Sequence, residues 1–114
     1  MITSIFASVA VHQLDSAVQF YERIFGPATA RPLPEVAEWH FGGGGLQVYE
    51  LPERAGRGSF TVSVSDIDEL VAQLKGAGIA SPEPNRTTDN ETVMITDLDG
   101  NSIAFVGPSV GQPQ

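Results

Sequence analysis

Cysteine is absent from the 114 residues. That excludes disulfides, thiol nucleophiles and cysteine-ligated metals, and leads us to expect a cytoplasmic protein. Basic residues are scarce, 6 against 14 acidic ones, for a formal charge of −8. Such a surface repels phosphate backbones and argues against a nucleic-acid partner. The same field serves solubility and draws in a cationic ligand. No apolar run approaches the roughly 18 residues of a membrane span, so no membrane association is expected. The N-terminal Met1-Ile2-Thr3-Ser4-Ile5 has no basic segment followed by an apolar one, and no secretory signal is expected there.

What is present is an ordinary globular composition, 41% apolar and 18% charged, of a length that supports one core rather than two. The chain repeats itself weakly. A strand pattern at 6–11 (FASVAV) leads through Gln13-Leu14-Asp15-Ser16 into a helix pattern; a second at 60–64 (FTVSV) leads through Ser65-Asp66-Ile67-Asp68 into another. Two such starts half a chain apart mark a duplicated unit. The first helix, 15–25, carries Val18, Tyr21 and Phe25 on one face with Ala17, Phe20 and Ile24 beside it; Asp15 or Ser16 is its expected cap, and Gly26-Pro27 its end. In the second, Asp66 and Glu69 have capping-box spacing, and Ile67, Leu70, Val71 and Leu74 recur at helical intervals. Shorter extended runs follow each helix, at 28–31, 36–41 and 46–51, then at 79–81, 92–96 and 102–107. The fold class is α+β: two βαβββ modules, about 3–51 and 59–107, forming a curved eight-stranded mixed sheet. Residues 1–107 make a single domain, 52–58 a linker and 108–114 a flexible tail.

The strands alternate. Ile5, Val9 and Val11 oppose Phe6, Ser8, Ala10 and His12; Phe60, Val62 and Val64 oppose Ser59, Thr61 and Ser63; Val93 and Ile95 oppose Thr92, Met94 and Thr96. Side chains alternate across a strand, so one sheet face is apolar and belongs under the helices. The other is a candidate cup lined by Phe6, Ser8, Gln47, Tyr49, Ser59, Thr61, Met94 and Ala104, with His12 at its rim.

Three stretches in this order resemble the vicinal oxygen chelate superfamily, which includes glyoxalase I, the extradiol dioxygenases and the bleomycin-resistance proteins. They are Val11-His12-Gln13-Leu14-Asp15 leading to Phe20-Tyr21 and Gly26; Val64-Ser65-Asp66-Ile67-Asp68 leading to Leu74 and Gly78; and Asp97-Leu98-Asp99-Gly100-Asn101 running into Ser102-Ile103-Ala104-Phe105-Val106. In the metalloenzymes of that family the resemblance places metal ligands at positions that are here Phe6, Gln47, Ser59 and Ala104. Phenylalanine and alanine cannot coordinate a cation, and serine and glutamine are weak neutral ligands. The resemblance therefore implies no metal and no other cofactor. It implies kinship with the metal-free bleomycin-resistance branch, whose members are acidic homodimers that sequester a drug without chemistry.

Other features compete with this reading. His12 is either a rim acid–base group or an ordinary strand-end residue, and His40, between Trp39 and Phe41, faces away from both. Gly42 to Gly45 lacks the Lys-Ser/Thr of a phosphate loop and reads as a hairpin turn. The Asp97–Asn101 turn lacks the distal acid of a calcium loop. The Ser59, Thr61 and Ser63 stripe shows no base to activate a nucleophile. The expectation is a metal-independent small-molecule binding protein, a homodimer with no catalytic residue. The alternatives are a metal-free lyase, isomerase or hydrolase of the same fold, and a dimeric adaptor with a filled cup.

Overall fold

A computed structural model describes residues 1–109. Of the expected tail, Pro108 closes the last strand and Ser109 donates a hydrogen bond to the Thr87 carbonyl (3.1 Å); the rest, 110–114, lies outside the described residues. The order is β1 (Ile5–Val11), α1 (Leu14–Phe25), β2 (Ala30–Leu33), β3 (Val36–Phe41) and β4 (Gly44–Glu50), then a 3₁₀ turn (Pro52–Arg54). β5 (Ser59–Ser63), α2 (Ile67–Gly76), β6 (Asn85–Arg86), β7 (Asn90–Thr96) and β8 (Ser102–Pro108) follow. The βαβββ grammar thus appears twice. Hydrogen bonding divides the eight strands into two four-stranded mixed sheets, β1-β4-β3-β2 and β5-β8-β7-β6. β1 pairs parallel with β4, and β5 parallel with β8. No ladder joins β1 to β5, so the division falls between the modules.

Three local expectations are corrected. Neither Asp15 nor Ser16 caps α1: the helix begins one residue earlier with Gln13 at the cap, and the Leu14 N–H is accepted by Glu50 Oε1 at 2.9 Å. A carboxylate brought from β4 does what a local cap would do. The short strand expected at 79–81 lies at Asn85–Arg86, because Ile79 is drawn into the core after the Gly78 turn. β2 lies two residues beyond the expected 28–31, because Ala28 packs against the core. The α2 cap is as read, with Asp66 Oδ1 accepting the Glu69 N–H at 3.2 Å.

The apolar faces of both sheets meet α1 and α2 in one core: Val9, Val11, Ala37, Trp39 and Val48 from the first module, Val93, Ile95, Ile103 and Phe105 from the second. Tyr21, fully buried on α1, sits 6.3 Å from the Phe60 ring across the module boundary. Its hydroxyl donates to Asp97 Oδ2 (2.7 Å) in the β7–β8 turn. Burial, and then the Asp97 charge, hold that hydroxyl far above the usual tyrosine range. Asn101, with no exposed surface, completes the clasp: Nδ2 donates to Ala10 O and Asp97 Oδ2, and Oδ1 accepts from the Gly58 N–H, all at 2.8 Å. Asp97 Oδ1 accepts the Asp99 and Asn101 N–H groups, so the D-x-D-G-N motif acts here as a turn that locks the modules together.

Candidate functional site

The face of each sheet turned from the helices carries the expected cup residues, in register rows. On the first sheet Phe6, Gly45 and His40 form one row, Ser8, Gln47 and Glu38 the next, and Ala10, Tyr49 and Val36 the third. On the second, Ser59, Ser102 and Thr96 form one row and Thr61, Ala104 and Met94 the next. Ser8, Ser59, Thr61 and Met94 are exposed, Met94 at 58%, while Phe6, Gln47, Tyr49 and Ala104 are half-buried. Ala10, placed on this face by parity, is buried, because β1 packs here against the 3₁₀ turn. The cup residues thus form two sets of four, one per sheet. Among the described residues no hydrogen bond or ring contact links the sets.

Sequence reasoning missed the polar centre of the first sheet. Glu38 Oε1 lies 2.9 Å from His40 Nε2, and Glu38 Oε2 accepts from Gln47 Nε2 at 2.7 Å. The bond from His40, then that from Gln47, holds the Glu38 carboxyl below the ordinary glutamate range. With Glu38 ionised, His40 Nε2 is the donor of the bond between them. The His40 ring meets Phe6 edge-on, centroids 5.3 Å apart and planes at 79°. Gly45 lies between them in the row, where a β-carbon would come within 2.9 Å of Phe6 Cε2. The parity of 36–41 was legible and placed His40 opposite Trp39; the available signal was that Glu38 and His40 share Gln47's face.

The donor set does not fit a catalytic metal. Phe6 and Ala104 carry no donor atom, and Gln47 is engaged with Glu38. Among the described residues, no three His, Asp or Glu side chains stand close enough to share an ion.

His12 lies just beyond β1 with Nδ1 2.6 Å from Asp99 Oδ1, an exposed pair across the module boundary. That contact supplies the partner its sequence context does not show, and it points toward the clasp rather than into the cup. Beside Ser8 and Tyr49 opens a cleft of about 310 Å³, also lined by Arg54 and Arg57. A separate, mainly apolar cavity of about 390 Å³ opens between the modules, lined by Ala7, Phe25, Phe41, Phe60 and Val62 and also by Gly45 and by the cup residue Thr61 with its neighbour Ser63. No helix among the described residues is long and apolar enough to cross a membrane.

No curated protein matches this chain. Among solved structures, a glyoxalase/bleomycin resistance protein from Catenulispora acidiphila is 29% identical; the match covers 91% of this chain and 96% of that one, with a TM-score of 0.84. TnmS3, an antibiotic binding protein from Streptomyces sp. CB03234, is 25% identical over 91% and 93% of the two chains, with a TM-score of 0.77. A bleomycin resistance determinant encoded on the transposon Tn5 is 18% identical over 92% and 97%, TM-score 0.78, a likeness of fold. The family model described as Glyoxalase/Bleomycin resistance protein/Dioxygenase superfamily matches residues 4–105, and the chain belongs to that superfamily.

Proposed function

We propose that this protein binds a small organic molecule on its cup face without a metal and works as a homodimer. The observation that carries the reading is the chemistry of Phe6, Gln47, Ser59 and Ala104: two have no donor atom, and the others are neutral. Without a Lewis acid, a superfamily member keeps a surface of Phe6, Tyr49 and Met94 interleaved with Ser8, Gln47, Ser59 and Thr61. That mixture of apolar area and a few hydrogen-bonding groups suits ligand binding. The antibiotic-binding and bleomycin-resistance neighbours support the same class of role. Glu38, kept ionised on the cup floor, and the net charge of −8 favour a ligand with a cationic group. Open sheet edges favour pairing with a second copy.

The experiment joins elemental analysis of protein purified without chelator to a thermal-shift screen with cationic antibiotics. We expect less than stoichiometric nickel, zinc, iron or manganese, and a stabilising ligand whose affinity falls in Phe6→Ala and Tyr49→Ala. A metal coordinated in the cup would overturn the mechanism, and unchanged affinity in both variants would overturn the place. A monomer by sedimentation at micromolar concentration would overturn the homodimer.

A second reading, a metal-free enzyme, is favoured by one observation: the Glu38 carboxylate orients the His40 imidazole as a base is oriented in acid–base catalysis. Its test is turnover of a bound ligand that His40→Asn abolishes while leaving binding intact.

A further inference from the structure

The cleft of about 310 Å³ beside the cup has a charge opposite to the molecule's. Ser8 and Tyr49, both cup residues, form one wall, and Arg54 and Arg57 form the other. The chain has 14 acidic residues and 6 basic ones, yet no Asp or Glu lines this cleft. Other arginines have partners: Arg86 bridges Asp68 and Glu91, Arg23 donates to Ala77 O, and Arg31 donates to Pro34 O. Among the described residues the guanidinium groups of Arg54 and Arg57 have neither an ion pair nor a hydrogen bond.

The backbone that carries them is held from both sides. The Arg54 N–H bonds Leu51 O at 3.0 Å. Gly56, at φ +83°, fits against Asp99 O where a β-carbon would come within 2.3 Å. The Gly58 N–H is taken by the buried Asn101 side chain at 2.8 Å, and Gly58 O accepts from Ser102 N at 3.0 Å. Two unpaired guanidinium groups therefore rise from a fixed loop beside two hydroxyl groups. Guanidinium forks match the oxygens of a carboxylate or phosphoryl group.

We propose that this cleft is an oxyanion subsite: Arg54 and Arg57, with Ser8 and Tyr49, take the carboxylate or phosphoryl group of a ligand whose apolar body lies on the cup. The inference rests on the reading of the cup as a ligand site and refines its ligand. Glu38, on β3, stands two strand spacings from β1, about 10 Å. One face thus offers a cation partner at Glu38 and an anion partner at the arginines, which fits a molecule carrying both charges.

The test is an NMR titration of the full chain with four probes: 4-(aminomethyl)benzoate, 4-(aminomethyl)benzamide, 4-methylbenzoate and 4-methylbenzamide. A fifth arm, 4-methylphenyl phosphate, ranks phosphoryl against carboxylate. Each anion is expected to bind about tenfold tighter than its matching amide, as a charge-assisted fork supplies. That ratio should shrink with added salt. Arg54→Gln/Arg57→Gln, both exposed positions, should abolish the ratio by weakening the anions to the level of their amides, whereas Arg31→Gln should keep it. Anions no tighter than amides, or a ratio that survives in the double variant, would overturn the subsite. If the amides still shift Phe6 and Tyr49 in that case, the cup stands and only the subsite falls. If no probe shifts a cup residue, both fall.

Discussion

Phe6 and His40 sit on strands that are not neighbours, yet their rings meet 5.3 Å apart, edge to face. β4 runs between them, and it presents Gly45 at that row. The contact fixes the imidazole whose Nε2 holds Glu38, so one missing side chain shapes the cup's apolar surface and its polar centre together.

Gly45→Ala should therefore disturb both. The added β-carbon would fall 2.1 Å from Trp39 O and 2.9 Å from Phe6 Cε2. Overpacking of this kind costs about 1–3 kcal/mol, to be read by urea denaturation. The Phe6–His40 nuclear Overhauser contact should vanish in the folded variant. An unchanged midpoint with the contact retained would show that β4 yields freely at this row.

Tyr21 predicts an alkaline limit. Its hydroxyl is held far above the ordinary tyrosine pKa of about 10, chiefly by burial and next by the Asp97 charge. A group whose folded pKa is raised lends its full stability below the unfolded value and loses it as pH climbs past that value. Unfolding free energy should be flat on this account up to about pH 10 and then fall. Tyr21→Phe should remove this tyrosine's share of the fall. At neutral pH the variant should lose about 1–2 kcal/mol, because Asp97 Oδ2 loses one of its two side-chain donors. Equal alkaline slopes in the two proteins would show that Tyr21 ionises without hindrance.

Much of the fold was legible because its signals are local. The apolar parity of β1, β5, β7 and β8, the helical spacing of Ile67, Leu70 and Leu74, and the Asp66 cap all lie within a few residues of what they specify. The failures came where a partner was distant in sequence. Glu50 caps α1 from 36 residues away, and Asp99 meets His12 from 87. The polar centre of the cup was half legible. Alternation put His40 away from Trp39, but only the β3–β4 register joins Glu38 to Gln47, and a register is not written in either strand alone.

The helix caps give a paired test. Asp66→Ala should cost about 1 kcal/mol through the lost bond to the Glu69 N–H. Glu50→Ala should cost a comparable amount, about 1 kcal/mol, through the Leu14 N–H left without its acceptor. Asp15→Ala should lose only a weaker interaction with the helix dipole, about 0.3–1 kcal/mol. A denaturation midpoint for Asp15→Ala below that for Glu50→Ala would return the cap to the local sequence.

Asn101 predicts the largest loss of the set. Its side chain satisfies three groups at once: the Gly58 N–H, the Ala10 carbonyl and Asp97 Oδ2. Asn101 itself is wholly buried, and Ala10 is buried beside it, so water reaches neither freely. Truncation to alanine leaves a buried donor and acceptor without partners and opens a small void, and each orphaned group costs about 1–3 kcal/mol. We expect Asn101→Ala to lose about 3 kcal/mol overall, and Asn101→Asp to lose at least as much, because it sets a second carboxylate against Asp97. The damage should be regional as well as global. Gly58 connects the Arg54–Arg57 loop to the second module, so its amide should exchange with solvent faster in Asn101→Ala, by more than the global loss explains. Amides of α2, remote from the clasp, should exchange only as the global stability dictates. Uniform acceleration across both would mean that Asn101 supports the core as a whole rather than the junction between modules.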